Sequence, residues 1–127
     1  MGMKFKYIVF LLFVFQTTFG QTKADFKDNE ISTNSELDFL KTDKRGIKSN
    51  DEIIYYVEKD LQTLTAYENG KVKWKTNIIG TCGEPSVGKS EIRFIRLNNG
   101  TINLIFGKHN FANVNITDGK INDSGSD

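Results

Sequence analysis

The stretch from Leu64 to Ile78 constrains the fold more than any other. Val72, Trp74, Thr76 and Ile78 alternate with Lys71, Lys73, Lys75 and Asn77, directly after the pair Asn69-Gly70. Alternation with period 2 sends successive side chains to opposite faces of a strand, leaving one face buried and one wet. The Asn-Gly pair accepts the positive φ of the tight turn that matches strand twist. With Thr63 to Tyr67 on its near side, the segment reads as a β-hairpin.

The same grammar continues on both sides. Glu52 to Val57 is rich in β-branched and aromatic residues, which suit a packed, pleated strand. Further on, Glu91 to Leu97, Thr101 to Phe106 and Phe111 to Ile116 read as strands. Asn98-Asn99-Gly100, Gly107-Lys108-His109-Asn110 and Thr117-Asp118-Gly119-Lys120 read as the turns between and after them. Short strands at near-regular spacing predict an all-β protein, a small antiparallel meander or blade-like sheet forming a single domain over residues 51–121. Its expected core includes Ile54, Tyr56, Leu64, Ala66, Val72, Trp74, Ile78, Ile92, Phe94, Leu104, Phe106, Val114 and Ile116.

The N-terminus carries an export pattern. Lys4 and Lys6 precede an unbroken apolar run from Tyr7 to Phe15, followed by Thr18-Phe19-Gly20 with small residues at its first and last positions. A basic start, a short apolar stretch and a small-x-small exit are what a signal peptidase reads, and the run is too short for a spanning helix. Residues 1–20 are therefore expected to be a signal peptide cleaved near Gly20, giving a periplasmic or secreted protein with no stable membrane anchor. Residues 21–50 are strongly polar and read as a mobile leader or linker, because they cannot bury enough apolar surface alone to offset their ordering entropy. Residues 122–127, Asn-Asp-Ser-Gly-Ser-Asp, are expected to be a disordered tail.

Removing residues 1–20 leaves 107 of the 127 residues, enough for one domain, with 15 basic residues against 16 acidic ones. That balance argues against nucleic acid as a partner. Cys82 is the only cysteine, so no internal disulfide can form, and it reads as a small buried hydrophobe. Three sequons, at Asn99, Asn115 and Asn122, would matter only in a eukaryotic secretory route.

Two segments end alike: Leu64 to Val72 and Val114 to Ile121 each run from an alternating strand through a Gly-Lys turn to an apolar residue. Leu64-Thr65-Ala66-Tyr67-Glu68-Asn69-Gly70-Lys71-Val72-Lys73-Trp74 resembles the repeat of quinoprotein-like (PQQ-type) β-propellers, over about twenty residues. The second copy lacks the Trp that the repeat places after its turn, and at most two units fit in the chain. The span from Ile53 to Ile121 also looks like short exported Bacteroidota-type proteins of unknown function. That resemblance implies a compartment rather than an activity.

Two motifs suggest chemistry. Gly83 to Ser90 matches G-x-x-x-x-G-K-S at each fixed position. A phosphate-binding loop, however, needs a strand before it and a helix directly after it, and Glu91 to Leu97 reads as a strand. Cys82 and His109 are the one pair that could supply a thiol nucleophile and its base. Ile54 to Gly80 faintly resembles the opening strands of L,D-transpeptidase domains, but Gly80-Thr81-Cys82-Gly83 lacks their Ser-His-Gly-Cys pattern.

The sequence points to an exported, non-catalytic binding or interaction protein of the cell envelope, with a protein or glycan as its macromolecular partner. Tyr55, Tyr67, Lys71, Lys73 and Lys75 are its contact candidates, the lysines forming a row with Arg93 and Arg96 nearby. No catalytic residue, cofactor or metal ligand set is expected. The alternatives are a small enzyme using Cys82 and His109, and a structural blade-like unit completing a sheet by self-association.

Overall fold

The computed structural model describes residues 26–127, so the expected signal peptide lies outside the described residues. Ten strands follow in chain order: β1 (Ile31–Ser32), β2 (Glu36–Asp38), β3 (Gly46–Lys48), β4 (Ile54–Val57), β5 (Thr63–Glu68), β6 (Lys71–Asn77), β7 (Ile92–Asn98), β8 (Thr101–Phe106), β9 (Asn110–Asn115) and β10 (Ile121–Ser126). A 3₁₀ turn, Asp28–Glu30, precedes β1, and a short helix α1, Ile78–Cys82, follows β6. The strands make two five-stranded sheets, the first ordered β1-β3-β4-β5-β6 and the second β10-β9-β8-β7-β2. Every pairing is antiparallel except β1 with β3.

Both sheets feed one apolar cluster. The first contributes Ile47, Tyr55, Val57, Leu64, Ala66 and Trp74, the second Leu37, Ile92, Ile95, Ile102, Leu104, Phe106, Ala112 and Val114. The protein is thus an all-β single domain, with its strands divided between two sheets around a common core. The sheets are also tied by hydrogen bonds: Trp74 Nε1 donates to Ile116 O at 2.7 Å, and Thr76 Oγ1 to Gly119 O at 2.5 Å. The Asn-Gly hairpins form as their chemistry demands. Asn69 and Gly70 join β5 to β6 at φ 55° and 75°, and Asn99 and Gly100 join β7 to β8 at 41° and 79°.

Four expectations need correction. The leader over residues 21–50 is not a linker in its described part, because β1, β2 and β3 all lie within it. Its apolar residues are too few to fold alone, yet most of them pack against the rest of the chain, while Leu40 stays exposed. Leu37 and Ile47 enter the shared core, while β2 pairs with β7 and β3 with β4. Phe26 packs on the outer face of the first sheet, its ring centroid 5.0 Å from that of Tyr56 and 5.2 Å from that of Tyr67. The polar tail, expected to be disordered, is likewise mostly strand β10 on β9. Backbone pairing needs no apolar side chains, and a polar sequence suits a sheet edge.

The third correction concerns which way β4 faces. Ile53-Ile54-Tyr55-Tyr56-Val57 is apolar on both parities, so alternation cannot choose its inner side. Pairing Tyr55 with Ala66 and Val57 with Leu64 turns Tyr55 inward and Tyr56 outward. Phe94 similarly faces outward, because a register shift between Ile92 and Phe94 turns Ile95 toward the core. The fourth concerns Val72. A bulge in β6 sets Trp74 opposite Ala66 but Val72 opposite Tyr67, so Val72 and Trp74 lie on different faces.

Candidate functional site

The structure disperses the contact residues expected from sequence. Tyr55 is 1 % exposed, its ring tilted against Trp74 at 6.1 Å in the core. Burial, then the carboxylates of Asp51 and Glu68, push its phenol up to about 12. Tyr67 is also buried, donating its hydroxyl to Glu58 Oε2 at 2.7 Å. Lys71, Lys73 and Lys75 are exposed on the edge strand β6, but they do not form one row. Lys75 opposes Thr65, Lys71 opposes Glu68 and Lys73 is the extra residue of the bulge, so Lys71 and Lys75 belong to opposite faces. Arg93 and Arg96 belong to the other sheet, and Arg93 donates to the carbonyls of Gly107 and Lys108.

Gly83 to Ser90 follows α1 rather than a strand and leads into β7 rather than a helix. Its conformation is fixed by contacts within the protein: Lys108 N donates to Val87 O at 2.9 Å, and Gln62 Nε2 to Ser90 O at 3.1 Å. Cys82 packs against the apolar cluster. Burial raises its thiol pKa, against a smaller lowering from a hydrogen bond with Ser124. His109 is exposed in the turn between β8 and β9 and makes no hydrogen bond to Cys82 among the described residues. A raised thiol pKa is the reverse of what a nucleophilic cysteine requires. No group of His, Cys, Asp and Glu among the described residues could hold a metal ion, and no described helix is long and apolar enough to cross a membrane.

The most organised surface is one the sequence reading did not single out: the outer face of the second sheet. Inward residues of β7, β8 and β9 are Ile95, Leu97, Ile102, Leu104, Ala112 and Val114, so their neighbours point out. The register aligns these neighbours into rows that cross all five strands. One row is polar: Glu36 opposes Arg96, Arg96 opposes Asn103, Asn103 opposes Asn113, and Asn113 opposes Asp123. The next is apolar through its centre: Asp38 opposes Phe94, Phe94 opposes Ile105, Ile105 opposes Phe111, and Phe111 opposes Gly125.

Side-chain contacts hold the rows in place. Asn103 Nδ2 donates to Asn113 Oδ1 at 2.7 Å, and Asn98 Nδ2 to Asn103 Oδ1 at 3.3 Å. Arg96 sits 5.7 Å above the Phe94 ring and 3.9 Å from Glu36 Oε2. A Cβ placed on Gly125 would lie 3.1 Å from Phe111 Cε1 and Cζ, so that ring rests against the bare backbone of β10. Phe94, Ile105, Phe111, Asn103 and Asn113 are all half-buried, which fixes them while leaving one side to solvent. At the end of this face, beside the open edge of β2, lies a groove of about 650 Å³ lined by residues including Asn34, Glu36, Lys41 and Phe94.

A signal for this face was present in the sequence. Asparagine is disfavoured in strands, yet Asn103 in β8 and Asn113 and Asn115 in β9 alternate with inward apolar residues. Compared with known proteins, the chain matches no family model, no curated protein and no solved structure.

Proposed function

We propose that this chain is an exported, non-catalytic binding protein of the cell envelope that engages a macromolecule through the outer face of its second sheet. The export pattern over residues 1–20 supports the compartment. One observation carries the rest: the two sheets treat their outer faces differently. On the first, Phe26 packs over Tyr56 and Tyr67. On the second, the Asn103 and Asn113 row and the Phe94 and Phe111 row stay half-open to solvent. Fixed polar groups beside accessible apolar ones, on a rigid sheet, are what a recognition surface needs.

Cosedimentation of residues 21–127 with envelope fragments of the source organism tests this reading. The wild-type chain should pellet with the fragments. An Asn103→Thr/Asn113→Thr variant should stay in the supernatant, and a Lys71→Ala/Lys73→Ala/Lys75→Ala variant should behave as wild type. A wild-type chain that never pellets, or a face variant that pellets equally well, would overturn it.

A further inference from the structure

Resting on that reading, we infer that the face takes a neutral glycan chain laid across the strands, hydrogen-bonded to the Asn103–Asn113 row and packed on the Phe94–Ile105–Phe111 row. The geometry of the two rows is the ground for this. Adjacent strands lie about 4.8 Å apart, so a row crossing five of them runs about 19 Å, and rows two residues apart are separated by about 7 Å. The surface therefore offers a long, narrow polar stripe with a parallel apolar stripe beside it.

A pyranose chain has the matching chemistry. Its equatorial hydroxyls need partners that both donate and accept, and its axial C–H faces need an apolar platform. A side-chain amide provides a carbonyl acceptor and two N–H donors. The hydrogen bond from Asn103 to Asn113 consumes one donor of the first and one acceptor site of the second. It fixes both amide planes and leaves Asn113 its full NH₂ group. Phe94 and Phe111 supply ring surface at either end of the apolar row, held by Arg96 and by Gly125 respectively.

Charge selects among sugars. The formal charges on the two rows are Glu36, Asp38 and Asp123 against Arg96 alone, and Arg96 is engaged by Glu36. Along the two rows this net negative charge disfavours uronic, sulfated and phosphorylated chains and nucleic acid, while Lys41 and Lys44 line the groove at their end. The asparagines themselves are the remaining clue. Threonine at these positions would favour the strand, so residues that break the local preference on one face mark a site used for something other than folding.

The test is titration of ¹⁵N-labelled residues 21–127 with linear neutral oligosaccharides (cello-, manno-, laminari- and chito-series), with polygalacturonate and heparin as acidic probes. Binding of at least one neutral series is expected, with the side-chain NH₂ signals of Asn103 and Asn113 shifting. Phe111→Ala should weaken it at least tenfold. So should Asn103→Thr/Asn113→Thr, with an unchanged urea midpoint showing that lost binding is not unfolding. Binding to acidic probes alone, or neutral binding indifferent to both variants, would overturn the inference. If no neutral glycan binds but envelope cosedimentation remains dependent on Asn103 and Asn113, the glycan inference fails and the binding face stands, with a protein as occupant. If sedimentation velocity instead shows a dimer abolished by the threonine variant, the occupant is a second copy and the inference fails. Loss of both glycan binding and cosedimentation removes the inference and the proposed function together.

Discussion

Gly119→Ala and Gly70→Ala form a matched pair that isolates the packing between the two sheets. Both glycines sit at φ 75°. An alanine there costs about 1–2 kcal/mol, from the approach of its Cβ to the following carbonyl. At Gly70 nothing lies within 4 Å of the new Cβ, so that is the whole penalty. At Gly119 the Cβ would overlap the six-membered ring of Trp74 and lie 2.8 Å from Thr76 Oγ1. The indole must move, which strains its packing by about 1–3 kcal/mol and weakens the bond from Nε1 to Ile116 O, worth about 1 kcal/mol. The expected totals are about 1–2 kcal/mol for Gly70→Ala and about 3–6 kcal/mol for Gly119→Ala. With a urea slope of about 1.5 kcal/mol/M, the midpoint should fall by about 1 M in the first and by about 2–4 M in the second. Trp74 is the only tryptophan, so its emission reports both the transition and the native environment of the ring. Equal midpoints for the two variants, or unchanged native emission in Gly119→Ala, would refute the claim that this indole clamps the sheets.

Three further outcomes are expected. Phe26→Ala should lower stability by about 2 kcal/mol in urea denaturation, since it removes a half-buried ring from Tyr56 and Tyr67; no change would return the segment to the status of a leader. Burial, the largest cause at both, raises Tyr55 and Tyr56 to about 12, with the Glu30 carboxylate adding to the rise at Tyr56. The folded state therefore holds these protons more tightly than the unfolded state, for which the phenol value is 10.0. Their contribution should be complete below about pH 10 and lost as pH rises toward 12, with a slope of up to about 1.4 kcal/mol per pH unit for each. A phenolate absorbance titration completed near pH 10 in the still-folded protein would contradict this. Finally, Cys82, whose thiol burial pushes up, should react with a neutral maleimide at least tenfold more slowly in the folded than in the urea-unfolded protein; equal rates would reopen its candidacy as a nucleophile.

Local chemistry made much of the strand inventory legible. The Asn69-Gly70 and Asn99-Gly100 turns, the clean alternation of β6 and the Asn-rich polar positions of β8 and β9 are all visible in the chain. The alternation of β8 and β9 also separates their inward residues, such as Leu104 and Val114, from outward Asn103 and Asn113. Where both parities are apolar, as in Ile53 to Val57, periodicity carries no direction: Tyr55, expected to be exposed, faces the shared core, and Tyr56, expected in that core, is buried on the outer face beneath Phe26. A one-residue bulge did the same to the lysine row, because each slip of register reverses every side chain beyond it.

By itself, then, the sequence determined strands, turns and most inward faces, since these depend on residues close in the chain. Tertiary structure alone decided three things. It made strands of a segment too polar to fold unaided, because β2 and β3 complete sheets whose apolar cost is met elsewhere. It buried Tyr56 and Tyr67 under Phe26, a ring about thirty residues before the first of them. And it aligned Glu36, Arg96, Asn103, Asn113 and Asp123 across five strands. No local pattern encodes that row, because it is a property of pairing register between residues up to 60 positions apart, Glu36 to Arg96.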